Sequence, residues 1–428
     1  MPSVDEVFDA GGYPKHTYVD RTRENLEQRL NRALRKSTSG ATLVGPSKSG
    51  KTVLAKKVCL ENGYQLVQVR GQQIGSVDEL WNIVLDELDV PDAVEEGRSS
   101  TREDNRTDDL SVKPQGVGGS TSASETAVEA TSQTTTYSRR GLRDVAARVD
   151  TDSFVLLIDD FHYVESEDLK IEIGRSIKSA LEEGISICVA FVTHRGETLQ
   201  KLVPDLESRV MTIRCELWED DELSKIISNG EEALNIKFPS WLKEQLIANS
   251  IGSPMIMQRL CNASCDVAGI TGTVNPGEGP ITLDLSEDEF HRIIALAADW
   301  MGKRSVVREM RSGVQDSGRI PYEHRGGSKG DIYILGLRAI AHGDPTRSFR
   351  FSELKERIFE DCIDDRPNGP QIENFCNQMQ KIAERERPNE EMVEWDSENN
   401  VLTISSPELL FLIRHLMGDY GSDGGFEV

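Results

Sequence analysis

Two clusters of residues in this chain have types and spacings suited to phosphate chemistry. The run Gly45-Pro46-Ser47-Lys48-Ser49-Gly50-Lys51-Thr52 fits the spacing GxxxxGK[ST], the Walker A pattern. Glycines let the backbone wrap an anion closely, and successive N–H groups at a helix start form a positively polarised nest. Lys51 would reach the β- and γ-phosphates of a nucleoside triphosphate, and the Thr52 hydroxyl would ligate Mg²⁺. Val53 continues the loop into the helix, so residues 45–53 are all read as nucleotide-binding. The second cluster is Phe154-Val155-Leu156-Leu157-Ile158-Asp159-Asp160, an apolar run ending in acid. Asp159 is placed to hold Mg²⁺ and Asp160 to polarise the attacking water. Many ATPases carry Glu where Asp160 stands; the shorter side chain holds water less well and predicts slow hydrolysis. A further strand ends in Val192-Thr193-His194-Arg195, where Thr193, or failing that Arg195, could sense the γ-phosphate. ATP with Mg²⁺ is the expected cofactor pair, since the sequence contains no guanine-reading NKxD motif.

These residues need strands and helices to position them. Ala41–Val44 reads as the strand before the loop, and Val53–Val58 as the helix after it. Around them lie an amphipathic helix at Glu24–Ala33, a strand at Tyr64–Val69 and a helix at Asp78–Leu88. Further helices at Arg140–Val149 and Glu167–Leu181, and strands at Phe154–Ile158 and Ile185–Val192, complete the pattern. The fold class expected is α/β: a P-loop NTPase core with a parallel sheet in an αβα sandwich, over residues 1–215. Residues from about 92 to 138 are rich in Ser, Thr, Gly and Asp and read as a flexible insert, a partner-contacting hairpin being the alternative. Helices at Asp220–Leu234, Ser240–Ser250 and Met255–Ala268 predict a helical lid at 216–270. Residues 281–428 follow a Gly/Pro-rich break. Helices at Tyr333–Ala341, Ser352–Asp361, Pro370–Glu384 and Pro407–Met417, with a hairpin of Val393–Trp395 and Val401–Ile404, predict a helical linker and a winged-helix domain.

Composition narrows the function. The chain has 428 residues, a length that suits about three domains. Its net charge of −24 weighs against extended binding to a phosphate backbone. The winged-helix hairpin adds Glu394, Asp396 and Glu398, so protein contact is favoured there over DNA. The best basic run is Lys303, Arg304, Arg308, Arg311, Arg319, His324, Arg325 and Lys329, and nucleic acid, if bound, is expected at 303–329. A solvated helix face, or an internal partner for the acidic hairpin, are the other readings of that run. Seven scattered cysteines suit a reducing compartment, with Cys261 and Cys265 read as core thiols. No apolar run approaches the ~20 residues that span a bilayer, and the acidic N-terminus lacks a signal-peptide core. A cytoplasmic protein without a membrane partner is expected.

The segment Pro204-Asp205-Leu206-Glu207-Ser208-Arg209-Val210 resembles the SR motif of the AAA+ superfamily, in its clamp-loader and origin-recognition branch. The resemblance implies that Arg209 is a finger entering a neighbouring subunit's site, and hence a homo-oligomer. Tyr18-Val19-Asp20-Arg21, with Glu24, is similar to the adenine-side entry segment of origin-recognition ATPases and of the related STAND ATPases; Tyr18 and Val19 would flank the base. Gly252-Ser253-Pro254 resembles the GxP triplet of STAND proteins, where Pro254 would close on the adenine side. Most AAA+ proteins carry an Arg about there, and Arg259 is the residue here that could replace it. The resemblance spans residues 13–268 outside the insert, and a winged helix follows the lid in both groups. It implies an ATP-binding, slowly hydrolysing AAA+/STAND-like switch that oligomerises and regulates a separate effector protein in defence or signalling. The rival reading is a DNA-associated initiator- or transposition-regulator-like ATPase.

Overall fold

Five strands carry the chemistry-bearing residues: β1 (Gly40–Val44), β2 (Gln65–Arg70), β3 (Phe154–Asp159), β4 (Ser186–Phe191) and β5 (Val210–Arg214). All pairings are parallel and the order is β2-β3-β4-β1-β5. The inner strands β1, β3 and β4 are buried along their whole length, which is why their sequences run apolar without alternation. The edge strands β2 and β5 include exposed positions. The computed structural model describes residues 1–428 except 23, 36–37, 92, 98–133, 193–198, 275–276, 315–318, 326, 328, 344, 389 and 418–428.

Helices cover both faces of the sheet. On one side, α1 (Leu26–Leu34) and α2 (Lys51–Asn62) pack Leu26, Leu30, Leu54 and Val58 on Leu43, Leu157 and Ala190. On the other, α3 (Val77–Glu87) and α4 (Glu167–Glu182) pack Leu80, Val84, Ile173 and Ile177 on Val67, Leu156 and Val189. Between α3 and β3, the ends of the insert pair as an antiparallel ladder, Ala93–Gly97 against Thr134–Ser138. The rest of the expected flexible insert lies outside the described residues.

After β5 the chain is helical: α5 (Asp220–Leu234), α6 (Ser240–Ser250) and α7 (Pro254–Val267), then α8 (Phe290–Asp299) and α9 (Arg304–Ser312). The C-terminal block runs α10 (Ile332–Ala341), β6 (Ser348–Arg350), α11 (Phe351–Asp361), α12 (Gly369–Glu386), β7 (Val393–Asp396), β8 (Val401–Ile404) and α13 (Pro407–Met417). Its three strands pair in the order β6-β8-β7. The hairpin was expected; β6 was not, because Ser-Phe-Arg is too short to show a strand period. One apolar cluster joins Val4, Val7, Phe8 and Val19 of the N-terminal segment to Ile226, Leu246 and Ile256 of α5–α7, and to Ile293, Phe375 and Leu412 beyond. Gly230 admits that N-terminal segment: a methyl group there would lie 2.2 Å from the Phe8 ring. Among the described residues, no helix is long and apolar enough to cross a membrane.

Candidate functional site

β1 delivers the chain to Gly45 at the C-terminal edge of the sheet, where ligands of open parallel sheets collect. The Cys215 N–H donates to the Val44 carbonyl at 2.7 Å. This brings the Cys215 carbonyl so near that a methyl on residue 45 would sit 2.1 Å from its oxygen, so only glycine fits. Gly50 (φ 94°) turns the loop into α2. Lys51 bends back, its Nζ donating to the carbonyls of Gly45 (3.0 Å) and Pro46 (2.7 Å). Burial pushes the Lys51 ammonium down to about 8, against the opposing pull of Cys215, Asp160 and Asp159. Such a cation is favoured by an arriving anion.

Thr52 Oγ1 donates to Asp159 Oδ2 at 2.7 Å, which joins the two sequence motifs across 107 residues. Gln68 Nε2 donates to the same oxygen at 2.9 Å, and the Asp160 N–H donates to Asp159 Oδ1 at 3.0 Å. Burial raises the Asp159 carboxyl above its usual range, and the charge of Asp160 adds to the effect. Asp160 itself turns out of β3 with φ 52°, its carbonyl so close to Gly71 that a methyl there would lie 2.4 Å away. Gln68 was not singled out in the sequence. It shows itself only through pairing: β2 lies beside β3, with Gln68 opposite Leu157 and Arg70 opposite Asp159.

From this acidic end a cavity of about 470 Å³ runs between the sheet edge and α5–α7, and is lined away from the acids by Tyr13, Tyr18, Val19, Ile226, Pro254 and Met255. The Tyr18 hydroxyl donates to Glu27 at 2.8 Å and the Lys57 ammonium lies 4.8 Å over its ring. Burial, followed by Glu27, holds that phenol well above its ordinary pKa. Asn229 of α5 donates to the Tyr18 carbonyl at 3.1 Å, so the entry segment is fastened to the lid. Pro254 opens α7 at the first turn, where a missing N–H costs nothing, behind the N-cap Ser253. Gly252 precedes it at φ 68°, and its carbonyl accepts the Trp218 N–H at 3.1 Å.

Two residues outside the predicted set tie these parts together. The Trp218 indole N–H donates to the Ser49 carbonyl of the phosphate loop at 3.0 Å. The Arg21 guanidinium lies 5.5 Å over the Trp218 ring and donates to Glu222 of α5 at 3.1 Å and to the Glu216 carbonyl at 2.9 Å. Arg21 and Glu222 are only 4% and 3% exposed, so the Glu222 charge depends on Arg21, which also meets Glu24 at 3.3 Å.

Other predicted residues fall elsewhere. Thr193 and Arg195 lie outside the described residues. Arg209 precedes β5, whose first residue Val210 pairs with Gly40 at the start of β1. It therefore sits at the sheet edge opposite the phosphate loop, a five-residue strand or about 16 Å away at ~3.3 Å per residue. There it pairs with Glu182 at 3.2 Å. Arg259 is not in the cavity wall; its guanidinium stacks on Trp300 at 4.7 Å, and the neighbouring Gln258 lines the cavity. Within the basic run, Lys303 meets Glu390, Arg304 meets Asp299 (2.7 Å), Arg319 meets Asp331 (2.6 Å) and Lys329 meets Glu323 (3.1 Å). Arg308, Arg311 and Arg325 are exposed. Cys261 and Cys265 are buried core thiols, and no metal-binding cluster of His, Cys, Asp and Glu occurs among the described residues.

A parallel five-stranded sheet, with the phosphate-loop strand between β4 and β5 and an acid-tipped β3 one strand beyond β4, has the fold of the AAA+ P-loop ATPases. Among solved structures, the chain is similar to the Walker-type ATPase PABY2304 of Pyrococcus abyssi, at 12% identity and a TM-score of 0.51 over 95% of this chain and 99% of that one. It is also similar to Cdc6p from Pyrobaculum aerophilum, at 11% identity and a TM-score of 0.41 over 96% of this chain and 97% of that one. For the Aeropyrum pernix Orc1 protein in complex with DNA the identity is 12% and the TM-score 0.43, over 96% of each chain. At these identities the likeness is one of fold. No protein-family model matches the sequence, and comparison with curated proteins finds no match.

Proposed function

We propose that this protein is a slow ATPase that works as an AAA+/STAND-like switch. The observation that carries the reading is the contact between Thr52 and Asp159, beside buried Lys51, at one end of a cavity that α5 and α7 line at the other. The residues suit Mg²⁺·ATP. Gly45 lets the loop pack tightly on the Cys215 carbonyl, and a hydroxyl and a carboxylate already converge with an amide behind them. Thr52 and Asp159 would hold Mg²⁺, which when bound neutralises charge on the β- and γ-phosphates. Lys51 exchanges its loop carbonyls for phosphate oxygens, and Asp160 orients water at the sheet edge. Thr193 senses the γ-phosphate, and Tyr18, Val19 and Pro254 enclose the base.

Arg209 faces away from its own site and serves that of a neighbouring copy. The helix-strand-helix-helix-hairpin order of residues 332–404 supports a winged-helix reading of the C-terminal block. Trp218 touches the phosphate loop through its ring and the lid through its backbone, so nucleotide state reaches the lid, the C-terminal block and a separate effector protein. The exposed Arg308, Arg311 and Arg325 favour the second reading, an initiator-like ATPase that assembles on DNA. Salt-dependent DNA retention with ATP, lost on charge reversal at Arg308 and Arg311, would support that reading. The first test is molar mass by light scattering with Mg²⁺·ATP and with ADP, for wild type and Lys51→Ala. A larger species that needs both ATP and Lys51 is expected; a monomer under every condition removes the role of Arg209 in trans.

A further inference from the structure

Gln258 stands one helical turn after Pro254 on α7, lines the nucleotide cavity, and is only 4% exposed. Its amide cannot turn freely. The Thr17 hydroxyl donates its proton to the Val7 carbonyl at 2.8 Å, so Thr17 Oγ1 is left as an acceptor, and Gln258 Nε2 donates to it at 2.7 Å. Reversing the amide would set its oxygen against an oxygen with no proton to give. The relay therefore fixes Gln258 Oε1 as the amide atom that Thr17 does not engage. That atom is buried and meets no donor among the described residues. A buried acceptor without a partner points to a ligand that supplies the donor.

The position says which part of the ligand. Thr17 directly precedes Tyr18 and Val19, and Pro254 and Met255 precede Gln258, so the orphaned oxygen lies at the base end, in the seam between α7 and the entry segment. Resting on the ATP-site reading above, we infer that Gln258 is the residue that selects adenine, accepting a hydrogen bond from the exocyclic 6-amino group. Adenine presents an N–H₂ donor at its 6-position, where guanine and hypoxanthine present a carbonyl acceptor. Two buried acceptors facing one another is an arrangement that discriminates strongly.

The test is equilibrium binding of ATP, inosine triphosphate and purine-riboside triphosphate, which has no 6-substituent, to the full chain by calorimetry. Wild type is expected to bind ATP on the order of 10- to 100-fold more tightly than either analogue. Gln258→Leu should bind all three within about twofold of one another. Thr17→Val keeps Gln258 but releases its amide, and should reduce the ratio of ATP to inosine triphosphate affinity while still binding ATP; it reports even where Gln258→Leu does not fold. A Gln258→Leu or Thr17→Val protein that keeps the wild-type ratio overturns the assignment, as does a wild type that binds all three alike. Those outcomes leave the ATP-site reading standing. A wild type that binds no triphosphate removes both.

Discussion

The two ends of the cavity are built on different plans. The phosphate end is local: residues 45–53 are one loop and one helix start, completed by Asp159 from a neighbouring strand. The base end is assembled from the entry segment (Tyr13, Tyr18, Val19), α5 (Ile226) and α7 (Pro254, Met255, Gln258). The anion nest of a phosphate loop is made of successive backbone N–H groups, so this end is contiguous in sequence. A flat base needs walls on opposite sides, and those come from separate elements. The first end thus draws on one loop and a neighbouring strand, whereas the second draws on three separate elements.

The largest effect expected on this contrast comes from Glu222→Ala. It removes one of the two carboxylates that meet the buried Arg21 guanidinium and leaves Glu24 at 3.3 Å, so the cost expected is at most about 3 kcal/mol, the lower end for breaking a buried pair. Chemical denaturation should show that loss. In addition, ATP affinity should fall while inorganic triphosphate, which has no base, still binds; equal losses for both ligands would contradict a separation of the two ends. Lys51→Ala should do the reverse, weakening ATP and inorganic triphosphate together by roughly 10- to 100-fold in titration calorimetry, with little change in thermal stability.

The pH dependence is third in size. The folded chain sheds the Lys51 proton near pH 8, whereas the unfolded chain keeps it to about 10.4. Between these values the unfolded state binds more protons, so the contribution of this group to the stability of the nucleotide-free protein rises with pH. Phosphate restores the charge, so ATP binding at pH 9 should take up a proton and weaken by at most about tenfold per pH unit above 8. Calorimetry in buffers of different ionisation heat measures that uptake, and finding none in wild type would remove the role given to Lys51. The smallest change is Trp218→Phe, which loses one hydrogen bond to Ser49 worth about 1 kcal/mol. It should raise the ATP concentration needed for half-maximal assembly in light scattering about fivefold, with inorganic triphosphate binding unaltered.

The same contrast explains what could be read from the sequence. The phosphate loop, the acid-tipped strand and the lid helices carry local signals: fixed spacings, apolar runs and caps. α5 and α6 begin and end where their periodicity places them. The residues that escaped reading are those whose partners are remote. Gln68 meets Asp159 across 91 residues, Trp218 meets Ser49 across 169, Arg21 meets Glu222 across 201, and Gln258 meets Thr17 across 241. No window of sequence contains both halves of such a contact. Arg21 was noticed as part of an entry motif, yet its work as the fastening between core and lid depends on an acid in α5. Arg259, read as a stand-in for a sensor Arg from its charge and its place one turn beyond Pro254, belongs to a contact with Trp300.

The entry segment up to Val19 shares its apolar cluster with the lid, while α1 begins the core at Leu26. The chain therefore crosses from one body to the other at about residues 20–25 and crosses back at 215–219. Arg21 binds both crossings by donating to the Glu216 and Leu217 carbonyls. The two bodies therefore meet at one pair of adjacent, mutually bonded crossings, and that junction lies beside the phosphate loop, where the Trp218 indole N–H meets the Ser49 carbonyl.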